Sequence, residues 1–411
     1  MKSRTWVALS GAVAVAPLLA STALASTALA SPASPAPAST ALASTAPAST
    51  GTAGCTSVPF AAGMDGYNSF RIPAVVRTGR GTLVAFAEGR VNSSADSGNI
   101  DIVARRSADN GCTWGSLEVV ANYGDNTIGN PSPVVDPRTG RIVLLATTNA
   151  GDVTEAEIDA GQVTSAQSRR VWVLSSGDDG RTWTKPREIT ASVKRGDWRW
   201  YATGPGHAVV ITQGPHRGRL IVSADHTTAA SPDATTSITG VNDLYSDNDG
   251  RTWHLGFTAD NPDTSADVHG NETTAAELPD GRLYFNSRNS SGPAGEQRAD
   301  AYSDDAGLRL SRDLEVQPTI AGPAVEGSVL QLTGGPLIYS GPADESARAD
   351  MTIRESSDGG ATWTTADQVS TALAGYSDLV QLPGKTIGLL YETGTATYHD
   401  EIDFTQLHGL G

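Results

Sequence analysis

Short apolar runs, many of them alternating with polar residues, recur along most of the 411-residue chain. Two examples are IDIVARR at 100–106 and RRVWVLS at 169–175. Side chains of a strand point alternately to opposite faces, so this pattern predicts β-strands. Few segments have the longer period of an amphipathic helix. The chain is therefore predicted to adopt an all-β fold.

An eight-residue pattern, Ser-x-Asp-x-Gly-x-Thr-Trp, follows several of these predicted strands. Its Ser and Asp side chains can bond nearby backbone amides, its Gly supplies a left-handed turn, and its Trp can pack behind the hairpin. The spacing of the copies is about that of propeller blades, which predicts a β-propeller with the repeats in peripheral turns. The copies are SADNGCTW (107–114), SGDDGRTW (176–183), SDNDGRTW (246–253, with Asn248 in place of Asp), the degenerate SDDAGLRL (303–310) and SSDGGATW (356–363).

The Asp-rich turns also raise the hypothesis of calcium loops. They lack the full ligand spacing and the terminal Glu of such a loop, so a structural role is favoured. The seven histidines have no ligand spacing, and the chain has no phosphate-binding Gly loop and no Cys cluster. The sequence therefore predicts no metal and no cofactor.

The N-terminal region has the features of a targeting segment. Lys2 and Arg4 precede an apolar run that is too short and too interrupted to span a membrane, which predicts a secretory signal peptide at about 1–25. Residues 26–54 repeat Ala, Ser, Thr and Pro without charge, which predicts a low-complexity leader. We expect the folded domain at 55–411 and a secreted, extracellular protein.

Net charge limits the classes of binding partner, and cysteine content bears on whether the protein contains a disulfide. The chain has 45 acidic residues against 29 Lys and Arg, a formal net charge of −16. Such a body disfavours nucleic acid and acidic membrane surfaces as partners. In an exported protein the two cysteines, Cys55 and Cys112, favour one disulfide, with two free thiols as the alternative. We expect a monomer.

The motif FRIP at 70–73 places Arg71 inside an apolar, strand-like run, where an arginine needs an anionic partner. FRIP together with the repeated turns resembles the bacterial exo-α-sialidases of the neuraminidase family, and the resemblance covers residues 56–411. The resemblance implies a six-bladed β-propeller. It also implies hydrolysis of terminal sialic acid from glycoproteins, glycolipids and oligosaccharides.

The same resemblance implies three arginines that clamp the substrate carboxylate: Arg71, Arg288 in LYFNSR and Arg348 in SARADMTIR. Three guanidinium groups can give charge-assisted and partly bidentate bonds to one carboxylate. Glu392 in LLYETG resembles the glutamate that orients the first arginine. Arg90 in AEGR resembles an arginine near the sugar 4-hydroxyl. A surface or strand-pairing cation is the alternative interpretation of the clamp arginines.

The catalytic groups are implied in the same way. Tyr376 in AGYSDLV matches the nucleophile, and Glu272 in GNETTAAEL matches the base that takes its proton. Because the substrate carries a carboxylate at the reacting carbon, a neutral phenol approaches more easily than a charged Asp or Glu. Asp96 in SSADSGNID matches the general acid, which implies retention of configuration. The alternatives are Asp101 for the acid and Glu277 for the base.

Two further segments bear on the pocket. Trp198, Trp200 and Tyr201 in WRWYATGPGH either line it or belong to the core. Segment 149–168 is predicted to be a long polar loop that could rim the site.

Two other functions stay open beside hydrolysis. A trans-sialidase would share every catalytic residue and would differ in excluding water and offering an acceptor site. A non-catalytic propeller that binds sialylated glycans predicts the loss of catalytic residues, whereas this chain has a candidate for each.

Overall fold

Strands dominate the computed structural model, which describes residues 54–229, 237–260, 268–290 and 297–410. The predicted signal peptide and leader lie outside the described residues, apart from Gly54. The strands in chain order are β1 (Thr56–Ala61), β2 (Ser69–Arg77), β3 (Leu83–Arg90), β4 (Ile100–Ser107), β5 (Glu118–Ala121), β6 (Thr127–Val135), β7 (Ile142–Asn149), β8 (Arg170–Ser176), β9 (Arg187–Glu188), β10 (Trp198–Thr203), β11 (Val209–Val210), β12 (Leu220–Ala229), β13 (Ser237–Ser246), β14 (His254–Asp260), β15 (Gly270–Glu277), β16 (Leu283–Asn289), β17 (Gln297–Ser303), β18 (Glu315–Ala321), β19 (Ser328–Gln331), β20 (Leu337–Pro342), β21 (Met351–Ser356), β22 (Thr364–Gln368), β23 (Leu373–Leu382), β24 (Thr386–Gly394) and β25 (Glu401–His408).

These strands form six antiparallel blades, which confirms the prediction of an all-β, six-bladed propeller. The first five blades are β2 to β5, β6 to β9, β10 to β14, β15 to β18 and β19 to β22. In the third blade, β10 and β11 both pair with β12. The sixth blade contains β23 to β25 and is completed by β1, which pairs with β25. One parallel pair, Ile100 with Thr127, joins the first two blades.

The core lies between adjacent blades. Because each blade packs against a neighbour on both sides, its middle strands are buried on both faces, and β3 and β7 are buried at every position. Alternate residues of β12 show the principle, since Leu220 packs with Leu145 of the second blade and Ile221 packs with Phe285 of the fourth. The first strands of neighbouring blades contact one another around the axis.

The repeated eight-residue segments form turns after the third strand of five blades. In the first of them, Ser107 Oγ accepts a hydrogen bond from Gly111 N at 2.8 Å. The Asp109 carboxyl accepts from the backbone N–H and the hydroxyl of Thr113, at 2.9 and 2.6 Å. Gly111 has a φ of 94°, and a Cβ there would lie 2.1 Å from the Phe404 ring, so the turn requires glycine.

The two irregular copies keep most of this network. Asn248 accepts from Thr252 N at 2.8 Å, and its amide donates to the Thr252 hydroxyl at 2.8 Å. Asp305 accepts from Arg309 N at 2.9 Å, but an arginine at that position has no hydroxyl to donate. The departures from the pattern therefore change bonds within the turn, and no residue of these five turns lines the cavity described below.

Strand β1 is also tied to the first blade. Cys55, just before β1, forms a disulfide with Cys112 of the first turn. Trp114 donates to Ser57 Oγ at 2.9 Å, and Ser57 Oγ donates to the Gly111 carbonyl at 2.5 Å. The strand that completes the sixth blade is thus linked covalently and by hydrogen bonds to its neighbour.

Two short helices interrupt the strands, α1 (Glu155–Asp159) and α2 (Thr190–Val193). Helix α1 lies in the segment predicted as a long loop. Thr154 accepts from Glu157 N while the Glu157 carboxyl accepts from Thr154 N, a capping box that explains why a helix begins there. None of the helices within the described ranges is long enough to cross a membrane.

Candidate active site

Bulges on the strands nearest the axis position part of the candidate site. In five of the six first strands the pairing register with the next strand shifts, and a bulge of this kind bends the strand and re-aims its side chains. The shifts lie between Arg71 and Ala74, Gly129 and Ser132, Trp198 and Tyr201, Gly270 and Thr273, and Ala374 and Ser377.

Each of these five bulges contributes a side chain to one cavity of about 390 Å³. The cavity brings together every residue predicted to act in catalysis or to bind substrate. Those residues are Arg71, Arg90, Asp96, Glu272, Arg288, Arg348 and Tyr376.

Arg71 is held by a buried carboxylate. Its Nε and Nη2 donate to the two oxygens of Glu392, each at 3.0 Å, and the same carboxylate accepts from the backbone N–H of Ile72 at 2.9 Å and of Tyr376 at 3.2 Å. The φ of Ile72 is 60°, which is strained for a β-branched residue. Burial alone would lower the pKa of Arg71, but the charge and hydrogen bonds of Glu392, together with Tyr376 and Asp96, outweigh burial and raise that pKa. Arg71 is therefore a fixed cation, and its Nη1 lies 3.5 Å from Asp96.

Tyr376 and Glu272 form a short hydrogen bond beside a second arginine. The Tyr376 hydroxyl donates to Glu272 Oε1 at 2.5 Å. Arg288 Nη1 donates to Glu272 Oε2 at 2.9 Å and to the Tyr376 oxygen at 3.2 Å. Burial, reinforced by the negative Glu272, raises the pKa of Tyr376 well above its ordinary value. The phenol is therefore neutral, and its proton already points at a carboxylate able to take it.

The third arginine completes a ring of positive charge around Tyr376. The Arg348 guanidinium lies 5.7 Å from the Tyr376 ring centre and 4.8 Å from that of Tyr398. Arg71 lies over the same two rings, at 5.1 and 5.3 Å. Aromatic faces attract cations, so both rings help to hold the two guanidinium groups in place. Arg348 makes no ion pair with any residue in the described ranges, which leaves its charge available to a ligand.

Asp96 lies at the mouth of the cavity, on the loop between β3 and β4. Its Oδ1 accepts from Arg90 Nη1 at 2.7 Å, and Arg90 is fixed by Glu88, which accepts from its Nε at 3.0 Å and its Nη2 at 2.6 Å. The Asp96 side chain is 75 % exposed. Partial shielding from water opposes ionisation, but Arg90 and then Arg71 outweigh this effect and lower the pKa of Asp96. Asp96 is ionised while it pairs with these arginines.

Known proteins resemble this chain in sequence and in fold. The family described as a BNR repeat-like domain matches residues 81–390. The chain is 31% identical to an exo-alpha-sialidase from Aspergillus fumigatus over 71% of its own length and 69% of that protein. The chain belongs to the sialidase family.

Other sialidases are longer than this chain. A sialidase from Micromonospora viridifaciens is 31% identical over 85% of this chain but only 53% of its own length, and one from Bacteroides fragilis is 28% identical over 82% and 62%. The chain thus spans between half and two thirds of these relatives. Among solved structures, a Hadza microbial sialidase aligns with a TM-score of 0.70 and 27% identity, over 84% of this chain and 66% of that one. Trypanosoma rangeli sialidase, solved with 2,3-difluorosialic acid as a covalent intermediate, shares the fold at a TM-score of 0.64 and 18% identity, over 84% of this chain and 54% of that one.

The positions of Asp101 and Glu277, the alternative acid and base, differ from those of the predicted Asp96 and Glu272. Asp101 lies on β4, is 5% exposed, and accepts from the Tyr67 hydroxyl at 2.8 Å and the Asn122 amide at 2.6 Å. Glu277 accepts from Thr212 N at 2.7 Å and so links the fourth blade to the third. Neither alternative lines the cavity.

The prediction that Trp198 and Tyr201 line the pocket is wrong. The structure supports the alternative, that both residues belong to the core. They are 5% and 0% exposed and belong to the core cluster shared by the second and third blades. The bulge between them turns Trp200 toward the sialidase cavity instead. The Trp200 ring lies over the buried Arg169, with the guanidinium 4.1 Å from its centre.

Several polar residues that line the cavity were not predicted. Glu155 and Asp159 come from α1, inside the segment predicted to rim the site, and Arg169 follows that segment. Tyr398 lies under two of the arginines. Asp225 lies on β12, where a carboxylate within an apolar strand is the same kind of signal that singled out Arg71. Within the described residues, no group of three or more His, Cys, Asp and Glu is arranged to hold a metal ion.

Proposed function

We propose that this chain is a secreted exo-α-sialidase that hydrolyses terminal sialic acid from glycoproteins, glycolipids and oligosaccharides, with retention of configuration and through a covalent tyrosyl intermediate. The observation that carries the proposal is the 2.5 Å hydrogen bond from the Tyr376 hydroxyl to Glu272 at the centre of three arginines. The names of the relatives support the substrate class.

The three arginines explain how an acidic protein would hold an acidic sugar. Arg71 directs Nη1 into the cavity, Arg348 has no ion-pair partner among the described residues, and Arg288 lies beside the phenol. A carboxylate placed between them gains charge-assisted hydrogen bonds in a site shielded from water. Binding there brings the anomeric carbon, which carries the carboxylate, to the Tyr376 oxygen.

In the first step the Tyr376 oxygen attacks the anomeric carbon while the hydroxyl proton moves to Glu272 Oε1. The bond from the anomeric carbon to the leaving oxygen breaks, and that oxygen takes the proton of Asp96. A neutral phenol avoids repulsion by the substrate carboxylate. Arg288 Nη1, 3.2 Å from the phenol oxygen, stabilises the negative charge that develops there.

Asp96 must be protonated for this step, although Arg90 and Arg71 lower its pKa. A substrate carboxylate bound by Arg71 would place a negative charge beside Asp96 and offset the charge of that arginine. Both effects raise the pKa of the acid, so substrate binding and protonation of Asp96 are coupled.

In the second step the Asp96 carboxylate takes a proton from water, and the water oxygen attacks the anomeric carbon. The bond from that carbon to the Tyr376 oxygen breaks, and the oxygen recovers its proton from Glu272. Two displacements on opposite faces give net retention. The disulfide between Cys55 and Cys112 supports the secreted location, because disulfides persist in oxidising compartments.

Replacement of the proposed nucleophile tests the function. The purified protein is expected to release methylumbelliferone from its α-sialoside, and Tyr376→Phe is expected to lower kcat by at least about 1,000-fold. With 2,3-difluorosialic acid, intact mass spectrometry should show one added sugar on the parent protein and none on Tyr376→Phe. Tyr245→Phe, a half-buried tyrosine on β13 outside the cavity, is the matched control and should keep parental activity.

Four results would count against the proposal. A folded parent protein that releases no methylumbelliferone would exclude the proposed activity. A Tyr376→Phe variant whose kcat is within about tenfold of the parent value would exclude the tyrosyl intermediate. If NMR shows that sialic acid is first released as the β-anomer, the reaction does not retain configuration. Transfer to added lactose in place of water would identify a trans-sialidase.

A further inference from the structure

Asp225 is a buried carboxyl that lines the cavity without a partner. It is 1% exposed, and within the described part of the chain neither of its oxygens receives a hydrogen bond. The alternation of β12 fixes its direction: Asp225 and Thr227 line the cavity, whereas the intervening His226 stacks on Trp198 at 3.7 Å.

The neighbouring cations make no hydrogen bond to Asp225. Arg169 donates to the Tyr201 carbonyl at 2.7 Å, to Asn149 Oδ1 at 2.9 Å and to the Thr147 hydroxyl at 2.6 Å. Arg288 directs Nη1 to Glu272 and the Tyr376 oxygen. Withdrawing a carboxyl from water without a donor is unfavourable, and an apolar residue at this position would avoid that loss. Stability of the fold therefore does not explain why a carboxyl group occupies this position.

The electrostatic surroundings define what Asp225 can bind. Burial raises its pKa well above the ordinary value, and the negative Glu272 and Glu155 add to this effect, while Arg169 and Arg288 oppose it. A protonated carboxyl can both accept and donate a hydrogen bond. An additional anion is disfavoured beside Glu155 and Asp159, whereas a hydroxyl group can donate to a carboxyl oxygen there.

We propose that Asp225 is a specificity residue whose carboxyl accepts a hydrogen bond from a free hydroxyl on the sugar, at the end remote from its carboxylate. This inference deepens the proposed sialidase function and rests on it. The three clamp arginines come from the first, fourth and fifth blades and bind the anionic end of the substrate. The part of the cavity formed by the third blade and α1, with Asp225, Thr227 and Asp159, is then left for the hydroxylated end.

Two hydroxyl sources exist on sialic acid, the 4-hydroxyl of the ring and the hydroxyls of the exocyclic chain. The test measures kcat/KM of the full-length protein on the unmodified aryl α-sialoside, on its 4-deoxy analogue and on an analogue with a truncated chain. The parent is expected to prefer the unmodified sugar over one analogue by about 10- to 100-fold, the range for one hydrogen bond to a buried carboxyl. The analogue that is disfavoured identifies the hydroxyl.

In Asp225→Ala that preference is expected to shrink to about threefold or less, through loss of activity on the unmodified sugar alone. The deleted side chain opens into the cavity, so no enclosed void is created. Asp225→Leu replaces the carboxyl with a branched apolar group and carries the same expectation should the alanine variant fail to fold. A purely structural role would lower kcat/KM on all three substrates by the same factor.

Asp243→Asn is the matched control. Asp243 is a second buried carboxyl with an unpaired oxygen, but it lies on β13 outside the cavity. The Asp243→Asn variant should therefore show the same preference for the unmodified sugar as the parent. A preference unchanged in Asp225→Ala and Asp225→Leu overturns this inference, as does a parent that does not discriminate against either analogue. An inactive parent overturns the proposed function, and this inference with it.

Discussion

The carboxylate of Glu392 offers a sharp test of how the site is held together. It is fully buried, and its two oxygens accept four hydrogen bonds: two from the Arg71 guanidinium, one from Ile72 N and one from Tyr376 N. The perturbation is Glu392→Gln, which keeps the shape of the side chain and removes its charge.

The geometry sets the magnitude. Each oxygen of Glu392 accepts two of the four bonds, so whichever way the glutamine amide is turned, its NH₂ group meets two N–H donors. Two bonds to a charged group are lost, at about 1.5–3 kcal/mol each, and the buried Arg71 keeps its charge with only the exposed Asp96, at 3.5 Å, as an anionic partner. Breaking a buried ion pair from one side costs about 3–5 kcal/mol. We expect the free energy of unfolding to fall by that amount.

Urea denaturation of the parent and the variant gives this difference directly, and the sialoside assay measures its effect on the site. Because Arg71 and Tyr376 both depend on Glu392 for their position, we expect kcat/KM to fall by about 100-fold or more. Glu345→Gln controls for the chemical change itself, since Glu345 is exposed and outside the cavity.

A loss of less than about 1 kcal/mol in Glu392→Gln would refute the argument, because two charge-assisted bonds cannot disappear from a buried site at so small a cost. If the free energy of unfolding falls by the expected amount but kcat/KM is unchanged, only the claim that Glu392 positions Arg71 and Tyr376 is refuted. Equal changes in Glu345→Gln would show that charge alone, and not the four bonds, is responsible.

Two more predictions concern the scaffold. Replacing Cys55 and Cys112 by serine opens a loop with a sequence separation of 57, which should lower stability by about 4 kcal/mol in urea denaturation, and an unchanged midpoint would contradict this. The threonine hydrogen bonds of the turns lower the pKa of Asp109 and of Asp178 to about 2. Their stabilising effect is complete above the unfolded pKa of about 3.9 and is lost as pH falls toward 2, so the thermal midpoint should drop in that window. Asp109→Asn with Asp178→Asn should flatten the drop, and an identical slope would exclude these turns as its cause.

The fold could be predicted because its signals are local. Strand alternation and the turn pattern each lie within a few residues, and the turn pattern marks five of the six blades. The structure adds the chemical reason for its tolerance: Asn248 supplies the same acceptor as aspartate to the backbone of Thr252. Such turns survive substitution, which is why an imperfect repeat still identified a propeller.

The residues of the site were predictable only where a motif surrounds them. Arg71 was singled out by FRIP, whereas Asp225 also lies in an apolar strand but has no motif around it, and its surroundings are set by tertiary structure. Trp198 and Trp200 show the limit most clearly. Alternation alone gives both tryptophans the same face, but the bulge after Trp198 inserts an extra residue and separates them.

The bulges also explain why scaffold and chemistry tolerate change differently. The turns lie after the third strands, where a lost hydroxyl changes one bond, as Arg309 shows. The axis-facing bulges instead place Arg71 and Tyr376 through backbone shifts whose N–H groups, of Ile72 and Tyr376, both donate to the buried Glu392. A change at Glu392 therefore moves two functional groups at once, and a change at Asp225 alters only what the cavity accepts. Stability and specificity should thus separate cleanly between these two acidic residues, and Glu392→Gln measured beside Asp225→Ala on the same substrates would show whether they do.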